Sequence, residues 1–273
     1  MDLYAVFGHP IAHSKSPLIH ERFAAQTGQA LHYEAILAPT DGFAAAIAAF
    51  RARGGRGANV TLPFKLEAFA LADRRSARAD AAGAANTLIF GDDGIFADNT
   101  DGAGLVRDLA FLDCPLAGRR VLLLGAGGAA RGVLLPLLSE EPATLVVANR
   151  TLARAHELIS GRNPGATHLS ACGFADLVGE GFDVVINATS SSLADEAPPL
   201  PQGIYAPDGL AYDMMYGRDE TRFLKVARSL GAARTLDGLG MLVEQAAESF
   251  FLWRGVRPDT GAVRRELRTL LAS

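Results

Sequence analysis

The sequence predicts an α/β protein that contains a parallel sheet. Short runs rich in Val, Ile and Leu, such as VLLL and TLVVAN, alternate with alanine-rich amphipathic stretches. A glycine-rich turn directly follows one of these runs and opens a helical stretch. The 273 residues allow one large domain or two modest ones.

The N-terminal third predicts alternating strands and helices. Ser16 followed by Pro17 is typical of a helix start, with Ser16 as the N-cap, and Gly28 is the expected stop. A second helix is expected from Asp41 to about Arg53, and a third opens at Pro63. Strands are predicted at LYAVFG, HYEAIL and GANVT, and a hairpin at NTLIFGDDGIFADN.

The rest of the chain predicts a series of buried strands. A helix, GAGLVRDLAFL, leads into VLLL, and strands follow at TLVVANR, FDVVINAT, LAYDMM and RTLDG, with a weaker candidate at ATHLS. Six strands in series are enough for two mononucleotide-binding halves. The segments GMLVEQAAESFFLWRG and GAVRRELRTLLAS predict two final helices.

Composition excludes several classes of protein. A hydrophobic fraction of 49% with 21% charged residues excludes wholesale disorder. The net charge of -4 gives no global attraction for nucleic acid or an anionic membrane. Cys114 and Cys172 cannot form a disulfide framework and lack metal-ligand spacing, which indicates a reducing compartment. With no signal-peptide pattern and no apolar run of about 18 residues, we expect a cytoplasmic protein without a membrane partner.

The glycine-rich turn predicts a dinucleotide site. Gly125, Gly127 and Ala130 fit the pattern G-x-G-x-x-G/A after VLLL and at the start of a helix. Glycines let a pyrophosphate approach the backbone where a Cβ would collide, and the helix N-terminus supplies free N–H groups. Glycine clusters also form simple tight turns, but the strand–turn–helix context favours a Rossmann-like domain.

The end of the next strand favours NADP over NAD. An NAD enzyme usually has Asp or Glu about 20 residues after the glycines. This chain has Asn149, Arg150 and Thr151, with Arg154 one helical turn later. Two guanidinium groups can bind a 2′-phosphate that a carboxylate would repel. The alternative is an N-cap threonine beside two solvated arginines.

Two charged residues stand at predicted helix starts. Lys65 lies in the first turn of its helix, where the dipole disfavours a cation, and Asp101 precedes another helix. A solvated lysine and an N-cap aspartate are the structural alternatives to a proton-transfer role. His9 and His13 flank Pro10 without a Cys or acidic partner, so we predict no metal site. Turn or capping chemistry can explain each of the remaining small polar residues: Ser14, Ser16, Asn59, Thr61, Asn86, Thr87 and Asn99.

Together, however, these segments resemble one family. The matching stretches are GHPIAHSKSPLIH, NVTLPFK, AGAANTL, DNTDGAGL, GAGGAARG, NRT, NAT, YDMMYGRDETRFL and DGLGMLVEQAAESFFLW. They cover the chain from residue 8 to about residue 253. In this order they resemble the shikimate dehydrogenases, the NADP-linked enzymes of the shikimate pathway.

The resemblance implies two domains and a reaction. Residues 1–101, completed by helices in 238–273, would form a substrate domain with a mixed sheet. Residues 102–237 would form a Rossmann-like NADP-binding domain with a parallel sheet. The implied reaction is the reversible reduction of 3-dehydroshikimate to shikimate by NADPH, in aromatic amino acid biosynthesis. The implied partner is this small-molecule substrate, and we expect a monomer or a homodimer.

The resemblance also implies roles for individual residues. Lys65 and Asp101 would be the catalytic pair. The substrate carboxylate would bind Ser14, Ser16 and Tyr216, and the ring hydroxyls would lie on or near Asn59, Thr61, Asn86 and Gln245. The pyrophosphate would bind Gly125, Ala126, Gly127, Gly128 and Ala129. The adenosine phosphate would bind Asn149, Arg150, Thr151 and Arg154. The nicotinamide side would lie near Thr189, Met214 and Gly238.

One departure and three alternatives accompany this assignment. Ser192 stands where the family usually has glycine, so a backbone with positive φ would be strained there. A quinate or dual quinate/shikimate dehydrogenase is the nearest alternative. A ligand sensor without catalysis is disfavoured by the presence of both Lys65 and Asp101. A folate-linked dehydrogenase shares the lysine but lacks the Ser-x-Ser and Asn-Thr-Asp-Gly segments.

Overall fold

The computed structural model describes residues 1–179, 181–189, 191 and 196–272. Contacts within the chain divide it into two units. The first unit comprises Met1–Gly104 and Leu242–Leu267, and the second comprises Leu105–Met241 and the residues from Arg268 onward. The expected strain at Ser192 lies outside the described residues.

The first unit is built on a six-stranded mixed sheet, in the order β2-β1-β3-β5-β6-β4. Its strands are β1 (Asp2–Gly8), β2 (Leu31–Leu37), β3 (Gly55–Val60), β4 (Arg74–Arg75), β5 (Thr87–Gly91) and β6 (Gly94–Asp98). Strands β1, β2 and β3 are parallel, whereas β5 pairs antiparallel with both β3 and β6. The predicted hairpin is therefore confirmed, and the short β4 escaped prediction.

Alternation along β1 places apolar side chains on both faces of this sheet. Ala5 and Phe7 pack in a cluster with the aromatic rings of the helices that cover one face. Tyr4 and Val6 point the other way and pack with Tyr33. Both faces are therefore buried, which explains why LYAVFG is apolar throughout.

The first three helices of this unit begin one or two residues away from their predicted starts. They are α1 (Ser16–Thr27), α2 (Phe43–Ala52), α3 (Lys65–Leu71), α4 (Ala77–Ala82), most of α9 (Leu239–Arg254) and most of α10 (Gly261–Ala272), with the start of α5 (Asp101–Phe111). The expected N-cap role of Ser16 is wrong, because Lys15 occupies the cap position and Ser16 is already helical. Helix α3 begins at Lys65 rather than Pro63, because the segment before it forms a turn in which the Phe64 N–H donates to the Thr61 carbonyl. Gly28 ends α1 with φ of 65°, as predicted.

The second unit contains a parallel six-stranded sheet. Its strands are β7 (Arg120–Leu124), β8 (Thr144–Asn149), β9 (His168–Gly173), β10 (Phe182–Asn187), β11 (Tyr205–Asp213) and β12 (Arg234–Asp237). Between these strands lie α6 (Gly128–Ser139), α7 (Leu152–Ile159) and α8 (Arg222–Ser229). All six predicted strands are present, including the weaker candidate β9.

The strand order of this sheet is β12-β11-β10-β7-β8-β9. Counted from β7, this is the 3-2-1-4-5-6 order of dinucleotide-binding folds, and β7 and β10 flank the point where the order reverses. Val121 and Leu123 are buried on one face, and Leu122 and Leu124 on the other, as a doubly covered parallel strand requires. The predicted fold class, a mixed sheet plus a Rossmann-like parallel sheet, is confirmed.

Among the helices in the described ranges, none is long and apolar enough to span a membrane.

Candidate active site

A lysine–aspartate pair lies in the first unit. Lys65 is the first residue of α3 and Asp101 the first residue of α5. The Nζ atom of Lys65 is 2.6 Å from Oδ2 of Asp101. The two side chains are 28% and 14% exposed, so the pair is shielded but still accessible to a ligand. The expected alternative of a solvated lysine and a simple capping aspartate does not describe this geometry.

Asn86 connects this pair to the side chain of Gln245 and the main chain of Thr100. Its Nδ2 atom lies 2.8 Å from Oδ1 of Asp101 and 3.2 Å from Oε1 of Gln245, and its Oδ1 atom accepts the Thr100 N–H at 2.9 Å. One hydrogen on Nε2 of Gln245 goes to the Leu242 carbonyl at 2.9 Å. The second has no partner among the described residues and is available to a ligand. The structure therefore brings Lys65, Asp101, Asn86 and Gln245 together.

The residues predicted for the carboxylate and the ring follow two adjacent strands. Ser14 and Ser16 come after β1 and Thr61 directly follows β3, and these strands are parallel neighbours. The two segments pack closely, since a Cβ on Gly8 would lie 2.5 Å from Cγ2 of Thr61. Oγ of Ser14 accepts the Ser16 N–H at 3.3 Å. Tyr216 belongs to the second unit, where burial raises the pKa of its hydroxyl.

The glycine-rich turn lies at the carboxyl end of β7. Gly125 has φ of +105°, and a Cβ there would lie 3.2 Å from backbone atoms of Ala188, so this position requires glycine. A Cβ on Gly127 or Gly128 would meet nothing within 4 Å. Open space therefore faces the start of α6, whose first four N–H groups have no partner within the helix. An anionic group such as a pyrophosphate fits this space.

The predicted phosphate-binding arginines follow β8. Arg150 and Arg154 are exposed, and neither forms an ion pair within the described part of the chain. Thr151 occupies the N-cap of α7, but its hydroxyl makes no capping hydrogen bond. Asn149 shapes the loop by donating from Nδ2 to the Thr151 carbonyl at 2.9 Å. Two cations and a hydroxyl are thus available to a phosphate group.

The residues predicted for the nicotinamide side lie at the carboxyl ends of β10, β11 and β12. The N–H and the hydroxyl of Thr189 both donate to Oδ1 of Asn187, at 3.1 and 2.7 Å. The Met214 N–H donates to the Asn187 carbonyl at 3.0 Å. A Cβ on Gly238 would collide with the Met214 carbonyl, so only glycine fits there. Asp213 is buried and accepts from the Asn187 amide at 3.1 Å, which holds two of these strand ends together.

Sequence reasoning missed several residues that support these sites. His20, Tyr33, Thr100 and Ser249 are buried and bonded to predicted site residues. Only Ser249 carried a usable signal, because it follows Gln245 by four residues in a predicted helix and so shares its face. No group of three or more His, Cys, Asp or Glu side chains that could hold a metal occurs in the described part of the chain.

Comparison with known proteins identifies the family. Three family models match the chain: the shikimate dehydrogenase substrate binding domain at residues 6–88, shikimate / quinate 5-dehydrogenase at 109–194, and the shikimate 5'-dehydrogenase C-terminal domain at 238–268. Shikimate dehydrogenase (NADP(+)) of Aromatoleum aromaticum is 65% identical over 99% of this chain and 98% of its own length.

Two solved structures are also similar. An Ael1 enzyme from Pseudomonas putida has a TM-score of 0.93 at 52% identity and covers 98% of both chains. Shikimate 5-dehydrogenase from Thermus thermophilus, in complex with NADP(H) and shikimate, has a TM-score of 0.86 at 34% identity and covers 99% of this chain and 100% of its own. Since these matches extend over both units, the chain belongs to the shikimate dehydrogenase family.

Proposed function

We propose that this chain catalyses the reversible NADPH-dependent reduction of 3-dehydroshikimate to shikimate, a step of aromatic amino acid biosynthesis. The observation that carries the proposal is the Lys65–Asp101 pair, with Nζ 2.6 Å from Oδ2 and the amides of Asn86 and Gln245 beside it. A cation and amide groups on one partly exposed surface suit a substrate that has a ketone beside ring hydroxyls. The names of close relatives, such as shikimate dehydrogenase (NADP(+)), support the same reaction.

Lys65 is the proton donor in this proposal. NADPH supplies the hydride when it is bound. The Lys65 ammonium donates a proton from Nζ to the carbonyl oxygen as negative charge develops there, and in the oxidative direction the neutral amine takes the hydroxyl proton back. Asp101 holds Nζ through Oδ2 and keeps it aimed at the reacting oxygen. Oδ1 of Asp101 stays bonded to Asn86, so the carboxylate cannot rotate freely.

The substrate would be oriented by polar groups around this pair. Ser14 and Ser16 offer short hydroxyls to the carboxylate, at little cost in side-chain entropy. Thr61 and Gln245 offer groups to the ring hydroxyls. The role of Tyr216 at the same carboxylate stays a prediction.

NADP(H) would be held by the second unit. The pyrophosphate would lie against Gly125–Ala129, where the missing side chains of Gly127 and Gly128 leave open space. The adenosine phosphate would bind Arg150 and Arg154, with Asn149 and Thr151 beside them. Thr189, Met214 and Gly238 would border the nicotinamide. On this proposal the first unit is the substrate domain and the second is the cofactor domain, with bounds close to the predicted 1–101 plus 238–273 and 102–237.

The test is NADP+ reduction with shikimate as the sole substrate, followed by the absorbance of NADPH. Parallel reactions contain quinate instead of shikimate, and NAD+ instead of NADP+. We expect the highest kcat/KM with shikimate and NADP+. Faster oxidation of quinate with NAD+ would support the quinate alternative. Shikimate binding without any turnover would support a non-catalytic sensor.

Two finer points belong to the same proposal. We place the enzyme in the cytoplasm, where free thiols such as Cys114 and Cys172 stay reduced. We expect the protein to be a monomer or a homodimer, and light scattering on the purified protein would distinguish the two.

A further inference from the structure

A fully buried histidine is hydrogen-bonded to Asn59 in the first unit. The His20 side chain has no exposed surface, and its Nε2 atom lies 3.2 Å from Oδ1 of Asn59. A carboxamide oxygen only accepts hydrogen bonds, so Nε2 carries the hydrogen and Nδ1 is the bare nitrogen. Nδ1 has no partner among the described residues. Burial lowers the pKa of His20 to about 3, so the ring is neutral near neutral pH.

The carboxamide of Asn59 is occupied by protein groups on both sides. Its Oδ1 atom accepts a second hydrogen bond from the Tyr33 hydroxyl at 2.8 Å. Its Nδ2 atom lies 2.9 Å from Oγ of Ser249 and 3.2 Å from both Oγ1 of Thr87 and the Asn86 carbonyl. No hydrogen or lone pair of the Asn59 amide is left for a ligand. Its hydrogen bonds are therefore all internal to the protein, and the place of Asn59 near the ring hydroxyls stays a prediction.

From Asn59 the hydrogen bonds continue to the catalytic pair. The Thr87 hydroxyl accepts from Asn59 and donates to Oδ1 of Asn86 at 2.9 Å. Nδ2 of Asn86 then donates to Oδ1 of Asp101 at 2.8 Å, and Oδ2 of Asp101 holds Lys65. All these groups belong to the first unit. This series of hydrogen bonds, from His20 through Asn59, Thr87 and Asn86 to Asp101, has each group donating to the next.

The Ser249 hydroxyl is the other neighbour of Thr87. Its Oγ atom lies 2.8 Å from Oγ1 of Thr87, and it donates its own hydrogen to the Gln245 carbonyl at 3.1 Å. Oγ of Ser249 and Oδ1 of Asn86 each already accept one hydrogen bond, from Asn59 and from the Thr100 N–H, and the carboxamide oxygen is the stronger acceptor for the Thr87 hydrogen. The direction of the series at Thr87 therefore depends on which way the Asn59 amide is turned.

We propose that His20 is a positioning residue for the Lys65–Asp101 pair and acts through Asn59, Thr87 and Asn86. The inference rests on the proposed function, because it concerns the same reaction. His20 donates into one end of the series and, with the Asn86 carbonyl on the Nδ2 side, fixes the orientation of the Asn59 amide. The Thr87 hydrogen is then directed to Oδ1 of Asn86. Together with the Thr100 N–H, which donates to the same oxygen, this hydrogen bond keeps the donor side of Asn86 turned toward Asp101.

Packing alone does not explain a histidine here. The ring stacks on Tyr33 with centroids 4.3 Å apart, and it lies 5.2 Å from Trp253 and 6.1 Å from Phe23. A purely apolar side chain would satisfy these neighbours without leaving an unpaired nitrogen in the interior. The chain instead retains an imidazole whose one hydrogen bond goes to Asn59.

The experiment compares two substitutions of similar length and shape, His20→Gln and His20→Met. The Gln side chain keeps an N–H donor near the position of Nε2, whereas Met does not. We expect His20→Met to lower kcat for shikimate oxidation roughly 3–10-fold, the effect of one lost neutral hydrogen bond. KM for NADP+ should not change, because the cofactor residues belong to the other unit. We expect His20→Gln to stay within about 2-fold of the unaltered enzyme in kcat.

A second variant keeps the proposal testable if His20→Met fails to fold. Tyr33→Phe removes the other donor to Oδ1 of Asn59 and also a contact with the Ser16 side chain. Because His20 still donates to Asn59, we expect kcat to fall by less than about 3-fold, with any loss at Ser16 appearing in KM for shikimate. Combined with His20→Gln it should cost no more than by itself, since Gln still supplies a donor. The proposal would be overturned if the Met and Gln variants had the same kcat, whether both matched the unaltered enzyme or both lost activity to the same extent. If the unaltered protein does not oxidise shikimate at all, the proposed function fails instead.

Discussion

The backbone carbonyl of Lys65 accepts a hydrogen bond from the Ala85 N–H at 2.9 Å. The residue after Ala85 is Asn86, whose side chain contacts Asp101. The start of α3 is thus tied by its main chain to the segment that carries Asn86. Because this tie does not involve the Lys65 side chain, the side chain can be changed without releasing the helix.

We predict that Lys65→Met lowers kcat for shikimate oxidation by roughly 100-fold or more, since the proton donor is lost. The fold should persist, because the side chain is 28% exposed and the backbone bond to Ala85 remains. Steady-state kinetics and thermal unfolding measure the two effects. The matched control is Lys225→Met. Lys225 is an exposed lysine of α8, so this substitution should change neither kcat nor the unfolding temperature. An unchanged kcat in Lys65→Met would remove this lysine from the mechanism.

Two glycines of the same turn should respond differently to alanine. Gly127→Ala places its Cβ in open space, so the fold should stay intact while KM for NADP+ rises about 10-fold or more through collision with the pyrophosphate. Gly125→Ala forces alanine to φ of +105° against Ala188 and should destabilise the protein by about 1–3 kcal/mol. Urea unfolding and NADP+ titration separate these outcomes. Tight NADP+ binding by a folded Gly127→Ala variant would argue against a pyrophosphate at this turn.

The arginines after β8 should determine the choice of cofactor. We expect Arg150→Ala combined with Arg154→Ala to raise KM for NADP+ about 10–100-fold through loss of charge-assisted hydrogen bonds to the 2′-phosphate. KM for NAD+ should change little, because NAD+ lacks that phosphate. Arg222→Ala, another exposed arginine of the second unit, is the matched control. A parallel rise for both cofactors would mean that the arginines shape the loop rather than bind phosphate.

The stability of the protein should fall in mild acid because of His20. Its pKa is 6.5 when unperturbed and about 3 in the folded chain, so below pH 6.5 the unfolded state binds more protons than the folded state. Stability from this group is complete above pH 6.5 and declines as the pH falls toward 3. At pH 5 the loss relative to pH 8 is about 2 kcal/mol.

Urea unfolding at pH 5 and pH 8, of the unaltered protein and of His20→Gln, isolates the contribution of His20 to this loss of stability. The glutamine variant cannot take up the proton, so its decline should be smaller by about 2 kcal/mol. Parallel declines in the two proteins would show that His20 does not contribute.

Patterns along the chain predicted the strands and their order of occurrence, because a buried parallel strand such as β7 is apolar at every position after its first residue, Arg120. Helix starts were predicted less well. Pro17 correctly marked the start of α1, yet Ser16 proved to be helical rather than the cap. Pro63 stands two residues before α3, because a turn takes up the chain there. Local residue preference alone does not distinguish a turn before a helix from its first turn.

The sequence predicts the residues of the candidate site one by one, but it does not predict the contacts between them. Lys65 and Asp101 were paired only through the family resemblance, and no spacing in the sequence indicates that Asn86 lies between Asp101 and Gln245. Such contacts join elements far apart in the chain, and they depend on the register of the hairpin against α9. The sequence around His20 gives no signal of its role, because its burial and its bond to Asn59 exist only in the folded unit.

The first unit is built from two chain segments that are far apart in the sequence, and this affects how the protein folds during synthesis. Ser249 bonds to Asn59, and the Trp253 ring donates to the Leu88 carbonyl, 190 and 165 residues away along the chain. During synthesis the N-terminal strands leave the ribosome long before α9 exists. The polar interior around Asn59 and Thr87 therefore stays uncovered by α9 while the second unit is translated. We expect the second unit to fold first, and the N-terminal segment to be the part of a nascent chain that depends most on chaperones.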